Sequence, residues 1–411
     1  MEVTMENARP RKRGRNLLPI VIAGLALLFV ISAVRTFAPN ITEADVTNSG
    51  NAQVVGGMST ITISAVGDVT VTQEILDAAY AGGSYDFSRC LLPVANLLGS
   101  ADLTVANLET SLTTGTPDPE NSLAPASLAK ALAQSGVDLV QTANSKAVVN
   151  GLSGLQTTLN ILEESGLEAV GTFADTSAYN DANGITVVEK NGVKICFVAF
   201  TKGLDNMSLP EGAERCVNLL YTDYSTEYSQ VDVTGITRVL LAAESCQPDV
   251  TIALLHWGSE YVNDISTTQQ TIEELMFQYG VDAIIGSHSH VVGEMVEKEY
   301  NGRKVFVAYS LGNFLDYDAN KGARTGVVLN LTFTKNNYTG ETEFSGFTWD
   351  PVYMADSEES GVGRFQVLNL RDSMTMYEGG YIHRVSQSTY ETMQSALESL
   401  TGRISPAKEE E

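Results

Sequence analysis

From residue 60 onward the chain alternates short apolar runs with amphipathic segments, and a sheet covered by helices is the architecture that accommodates this rhythm. The apolar runs are TITISAVGD (60–68), ADLTVANLE (101–109), VDLVQTANSK (137–146), DVTIALLHWG (249–258) and VDAIIGSHSH (281–290). Between them lie SLAKALAQSG (127–136), LSGLQTTLNILEESG (152–166) and TTQQTIEELMFQYG (267–280), which have helical spacing and stop at glycine. An α/β fold with buried strands follows. Two segments break the alternation. ITVVEKNGVKICFVAF (185–200) and VVGEMVEKEYNGRKVFVAYS (291–310) each place Asn-Gly between apolar stretches, which predicts tight antiparallel hairpins. After residue 324 strand patterns dominate, and a last helix is expected near 386–401. No linker interrupts residues 59–402, so they are read as one domain, followed by an acidic tail over 403–411.

The N-terminus has a different composition. Residues 1–16 form a basic tail carrying Arg9, Arg11, Lys12, Arg13 and Arg15, and residues 17–34 are 18 positions without a charge. A basic flank before an apolar run of that length predicts a single-pass signal anchor with a cytoplasmic N-terminus. A cleaved signal peptide is the rival reading, but no clear small-x-small site follows. Residues 35–58, rich in small and polar types, then read as a tether that places the main domain outside the membrane.

Charge bounds the partners. Of the 25 basic and 50 acidic residues, six and two respectively fall within residues 1–35, leaving 19 against 48, a net −29. Such a domain should repel nucleic acid, and should bind any anionic polymer only with divalent cations. Cys90, Cys196, Cys216 and Cys246 lack CxxC spacing, which argues against a zinc ribbon. Cys216 with Cys246 is the expected disulfide if one forms, with Cys90 and Cys196 as buried thiols.

The apolar runs end in polar residues of a limited kind: Asp68, Glu109, Asn144, His256, and His288 with His290. Three of the chain's four histidines stand at these ends. Ligand sites of open α/β sheets form beyond the carboxyl ends of strands, so these side chains should converge. Carboxylate, amide oxygen and imidazole together suit one or two divalent ions such as Mn, Fe or Zn. Such an ion polarises a phosphoryl or carbonyl oxygen and acidifies a bound water. His288 and His290 would share a face on a strand, but could splay to two ions in a turn. Each histidine taken singly is more often structural; the site is argued from the set. Asn107, Glu260 and Asn313 are weaker candidates for supporting the ligands, and each has a plain alternative as a cap or turn residue. His383, outside the rhythm, is read as structural.

The blocks AVGDV, ANLETSLT, LHWGSEY, IIGSHSHVV and VAYSLGNFL, in that order over about residues 60–320, resemble the bacterial CapA (PgsA-like) capsule-synthesis family. The resemblance implies a metallophosphatase-type fold, a two-sheet α/β/β/α sandwich. It also implies work on poly-γ-glutamate or another capsule polymer, beside capsule-polymer synthase or export proteins. Carried over by motif, Asp68, Glu109, Asn144, His256, His288 and His290 would be metal ligands, with Asp68, His256 and His290 in the chemistry. One block departs. After the third run the family shows Asn-Asn-His followed by Asp-Tyr-Gly, whereas here Asn144 and Gly151 keep their places, Ser145 and Lys146 replace the second Asn and the His, and Val149 replaces the Asp. Ser289 stands where Pro is frequent. If Lys146 points inward, its ammonium stands in a metal's place, and the site holds one ion or none. Two functions stay open: a metal-dependent hydrolase of phosphoester or amide bonds, and a non-catalytic accessory protein that positions polymer beside a membrane synthase.

Overall fold

A computed structural model of the chain describes residues 57–320, 322–356, 365–380 and 385–404. The expected anchor (17–34), His383 and most of the acidic tail lie outside these residues. Among the described residues no helix is long and apolar enough to cross a membrane.

Among the described residues, fourteen strands make two mixed sheets. The first is built from β1 (Met58–Val69), β2 (Leu103–Leu108), β3 (Leu139–Gln141) and β4 (Glu168–Val170), side by side and parallel. The second centres on β6 (Val193–Thr201), β7 (Val250–His256), β8 (Ala283–Ser287) and β10 (Arg303–Ala308), also parallel. Its edges are β5 (Ile185–Lys190) and β9 (Met295–Tyr300), each joined to its neighbour by an expected hairpin. Asn191, Gly192, Asn301 and Gly302 all have positive φ, between 51° and 78°, as a type I′ turn requires. The short β11 (Asn313–Leu315) crosses back to pair with the end of β1, Asp68 opposite Asn313. The late strands β12 (Thr325–Asn336), β13 (Thr342–Asp356) and β14 (Phe365–Asn369) extend the first sheet antiparallel from the other edge of β1.

Side-chain alternation sets the layers. Ile61, Ile63, Leu103 and Val105 of the first sheet share one buried cluster with Ile195, Phe197, Ile252 and Leu254 of the second, so the sheets pack face to face. The alternate positions face outward. Val66, Val69, Ala106 and Leu108 pack under Leu128, Leu132, Ile161 and Leu162 from the helices Ser127–Gln134 and Gly151–Glu164. On the opposite side Cys196, Val198, Phe200, Ala253 and Leu255 meet Ile236, Val239, Ile272 and Met276 from the helices Val233–Ser245 and Thr267–Gln278. The result is helix, sheet, sheet, helix. The last helix, Gln387–Arg403, covers the late strands together with Leu370–Glu378.

The two-sheet arrangement implied by the family resemblance is the one observed: three of the five apolar runs form β1, β2 and β3, and two form β7 and β8 of the facing sheet. One expectation changes. The Cys216–Cys246 pairing does not form, and all four cysteines are free thiols. Cys216 sits in the core between the sheets, whereas Cys246 packs with Cys196 on the outer face of the second sheet. The sheet itself separates the two sulfurs.

Candidate metal centre

The parallel halves of the two sheets present their carboxyl ends to each other, and the polar residues expected from the sequence meet there. Asp68 is the penultimate residue of β1 and Glu109 follows β2 directly, its N–H donating to Val69 O at 3.0 Å. His256 is the last residue of β7. β8 stops at Ser287, and the chain then turns through His288 (φ 93°) and His290 (φ 58°). Histidines in left-handed backbone are held there by their surroundings, and such strain collects at functional sites. The turn splays the two imidazoles, with ring centres 6.3 Å apart.

Close backbone approach makes this junction possible. A side chain on Gly67 would place its Cβ 1.7 Å from Gly312 O, and one on Gly286 would lie 2.1 Å from Tyr309 O. Glycine immediately before Asp68, and again just ahead of the His-Ser-His turn, therefore lets the strand ends touch.

Two groups of three ligand-type side chains result, each with its atoms within 4.8 Å of one another: Glu109, His256 and His288, and Asp68, Glu109 and His290. Glu109 belongs to both. Asp68 and His256 are fully buried, Glu109 and His288 nearly so, and His290 has 14% of its side chain exposed. Asp68 Oδ2, Glu109 Oε2, His256 Nε2 and His288 Nδ1 are buried without a hydrogen-bond partner. Burying such an atom unpaired costs roughly 1–3 kcal/mol. Four lone-pair atoms converging in this way fit one or two divalent cations, which would satisfy them together.

The remaining atoms of these side chains are held. Asn107 Nδ2 donates to Asp68 Oδ1 at 2.7 Å, and Asn144 Nδ2 donates to Asn107 Oδ1 at 3.1 Å and to Leu108 O at 2.7 Å. Asn144 Oδ1 in turn accepts from Lys146 N–H at 3.1 Å. Ser145 Oγ donates to Glu109 Oε1 at 2.9 Å, and Glu109 Oε1 lies 3.4 Å from His256 Nε2. His256 Nδ1 is 3.2 Å from Ser287 Oγ. Asn313 Nδ2 donates to Asp316 Oδ2 and Ala323 O, so its Oδ1, 2.9 Å from His290 Nδ1, accepts the Nδ1 proton. That bond holds the proton on Nδ1, so Nε2 is the nitrogen that gives up its proton and offers a lone pair when an ion binds.

Charge in the cluster is unevenly distributed. Burial, then the Glu109 charge, pushes the Asp68 carboxyl up to about 6. Burial also raises Glu109, but His256, His290 and His288 outweigh it and hold the carboxylate well below its ordinary range. Burial and the neighbouring His256 push His288 well below its usual value, so its imidazole is neutral and has a lone pair to give. His290 rises to about 9: burial opposes this, and Asp68 and Glu109 override it.

Two expected supporting residues stand apart. Lys146 points away from the cluster and pairs with Asp205. Glu260 is exposed in the turn after β7, where its charge acts on Lys202 and Tyr261. Two residues that the sequence reading did not single out belong here. Ser287, directly before the first of the paired histidines, orients His256. Asp316, three residues beyond Asn313, anchors that amide, and burial, opposed by His290, raises it to about 7.

The model of the family described as "Bacterial capsule synthesis protein PGA_cap" matches residues 62–318, more than half of the 411-residue chain. The chain is 28% identical over 218 residues to "PGA biosynthesis protein CapA" of Bacillus subtilis (strain 168), covering 52% of this chain and 51% of that protein. It is 24% identical over 189 residues to "Capsule biosynthesis protein CapA" of Bacillus anthracis, covering 45% and 42%. The matched region thus spans about half the length of these relatives or less. Similar solved structures include a phosphatase from Mycoplasma pneumoniae (14% identity, TM-score 0.42, 72% of this chain and 94% of that one). A calcineurin-like phosphoesterase from Bacillus subtilis also matches (14% identity, TM-score 0.43, 83% and 99%).

Proposed function

The chain belongs to the bacterial capsule synthesis protein family PGA_cap, and from that premise we propose that it is a membrane-anchored, extracytoplasmic, metal-dependent hydrolase of phosphoester or amide bonds in a cell-envelope polymer. The observation that carries this reading is the pair of buried triads sharing Glu109, with four ligand-type atoms lacking partners. Divalent ions of the Mn, Fe or Zn kind, held by Asp68, Glu109, His256, His288 and His290, would polarise the scissile group and acidify a bound water.

The protein's own residues do the positioning. Asn107 grips Asp68 Oδ1 and leaves Oδ2 available. Ser287 and Asn313 occupy the Nδ1 atoms of His256 and His290, so both rings present Nε2. His290, the least buried of the three imidazoles, stands nearest the solvent from which a substrate arrives, and its Nδ1 proton is retained by Asn313 and Asp68.

The basic flank and the uncharged run over 17–34 support the anchor and the outward-facing domain. The net −29 beyond residue 35 supports a requirement for divalent cations when the substrate is a polyanion, and argues against nucleic acid. The accessory-protein alternative is favoured by the Ser145-Lys146 departure, most strongly with Lys146 pointing into the site. Lys146 on Asp205 and Ser145 on Glu109 weigh against it. The test is turnover by the full-length chain, loaded with Mn²⁺, of a generic phosphodiester and of a γ-glutamyl amide. One of the two should be cleaved, and His256→Ala should lower the rate at least about 100-fold. An ion-loaded chain that cleaves neither would replace the hydrolase with the accessory reading.

A further inference from the structure

Cys196 lies in the first half of β6, between Val187 of β5 and Thr251 of β7, with its side chain on the outer face of the second sheet. Cys246 caps the C-terminal end of the helix Val233–Ser245, which covers that face. Side chains alternate along a strand, so Lys194 shares the face of Cys196. Lys194 Nζ donates to Cys246 O at 2.6 Å, and Lys194 N–H donates to Asp249 Oδ2 at 2.8 Å. Asp249 N–H returns to Lys194 O at 2.7 Å. These bonds hold the helix end over β6 and set Cys246 against Cys196, in one apolar cluster with Val198 and Ala243. The two thiols are in hydrogen-bond contact.

The two sulfurs differ in access. Cys196 is fully buried, whereas Cys246 is partly exposed. Burial, and then the adjoining Cys246, keep the Cys196 thiol well above its ordinary range, with Lys194 pulling the other way. An oxidant from solution therefore meets Cys246 first, and Cys196 stands behind it as the second thiol. The remaining cysteines belong to other clusters, Cys90 under the helices of the first sheet and Cys216 between the sheets. A bridge at Cys196 would also bear on the metal centre, because β6 runs on to Thr201, which pairs with His256.

We propose that Cys196 and Cys246 are a redox-active pair that closes to a disulfide and staples the helix Val233–Ser245 to β6, with a low-molecular-weight disulfide as the oxidant. The Cys246 thiolate attacks one sulfur of that disulfide, forming a mixed disulfide and releasing one small thiol. Cys196 then gives up its proton and attacks the Cys246 sulfur, and the second small thiol leaves. The protein pair loses two electrons and two protons, which the small disulfide takes up in becoming two thiols. Closure of the pair does not depend on hydrolysis at the metal centre. Its test exposes the reduced full-length protein to excess oxidised glutathione, quenches with acid, alkylates the remaining thiols in denaturant and maps the peptides by mass spectrometry. The wild type should carry a Cys196–Cys246 crosslink, with Cys90 and Cys216 alkylated. Cys196→Ala should stop at the mixed disulfide and retain glutathione on Cys246. Cys246→Ser, at a partly exposed position, should leave Cys196 free, and it decides the matter if the alanine variant does not fold. The bridged protein should melt about 5 °C above the reduced one. Four alkylated thiols in the wild type, or glutathione persisting on Cys246 without a crosslink, would overturn the pair. Bridged protein that melts no higher than the reduced form would overturn the staple.

Discussion

Glu109 is the residue on which the metal centre turns, because it alone belongs to both triads and because three imidazoles hold it ionised inside the protein. The residues around it determine which lone pairs remain free. Asn313 is the clearest case: its amide, oriented by Asp316 and Ala323 O, takes the Nδ1 proton of His290. Asn313→Ala should therefore lower metal affinity at the His290 side about 10–100-fold while leaving the fold intact, measured by metal titration beside far-UV circular dichroism. Asn313→Asp should retain more affinity than the alanine variant, because a carboxylate oxygen still accepts that proton. Asp68, Glu109 and the three histidines were legible in the sequence because each ends an apolar run. Ser287 and Asp316 were not. Neither pattern nor spacing marks a serine or an aspartate that acquires its role from a loop returning across the strand ends.

At the level of elements, periodicity gave the hairpins at Asn191-Gly192 and Asn301-Gly302 and the helices that stop before Gly136, Gly166 and Gly280, where φ is 100°, 78° and 93°. Alternation along a strand specifies which side chains share a face but not which sheet the strand joins. That is why the division of the five runs between two sheets could not be read from their rhythm. The CapA-family resemblance supplied the two-sheet arrangement instead. The same face logic separates Cys216 from Cys246, a relation invisible to sequence spacing. The returning segment that carries β11 meets β1 over glycines, and Gly67→Ala tests that contact. A Cβ 1.7 Å from Gly312 O forces β1 and β11 apart, so the variant should lose about 3 kcal/mol in urea unfolding and bind metal more weakly. A variant as stable as the parent would mean that the strand ends yield more easily than their packing implies.

For the whole molecule, the strong negative charge and the metal centre belong to one account. An acidic domain repels acidic polymer over most of its surface, and metal ions held between the sheets would provide the local exception. The anchor, proposed from the first 34 residues, would keep that centre near a membrane where polymer is made. All of this depends on the convergence of side chains from two sheets on a shared carboxylate. The most direct measurement is metal stoichiometry of the purified full-length chain, by elemental analysis after equilibration with Mn²⁺ or Zn²⁺, compared with Glu109→Gln. The account predicts up to two ions per wild-type chain and at least about a tenfold loss of affinity for each in the variant. A wild-type chain that binds no ion, or a Glu109→Gln chain that binds ions as tightly as the wild type, would contradict it.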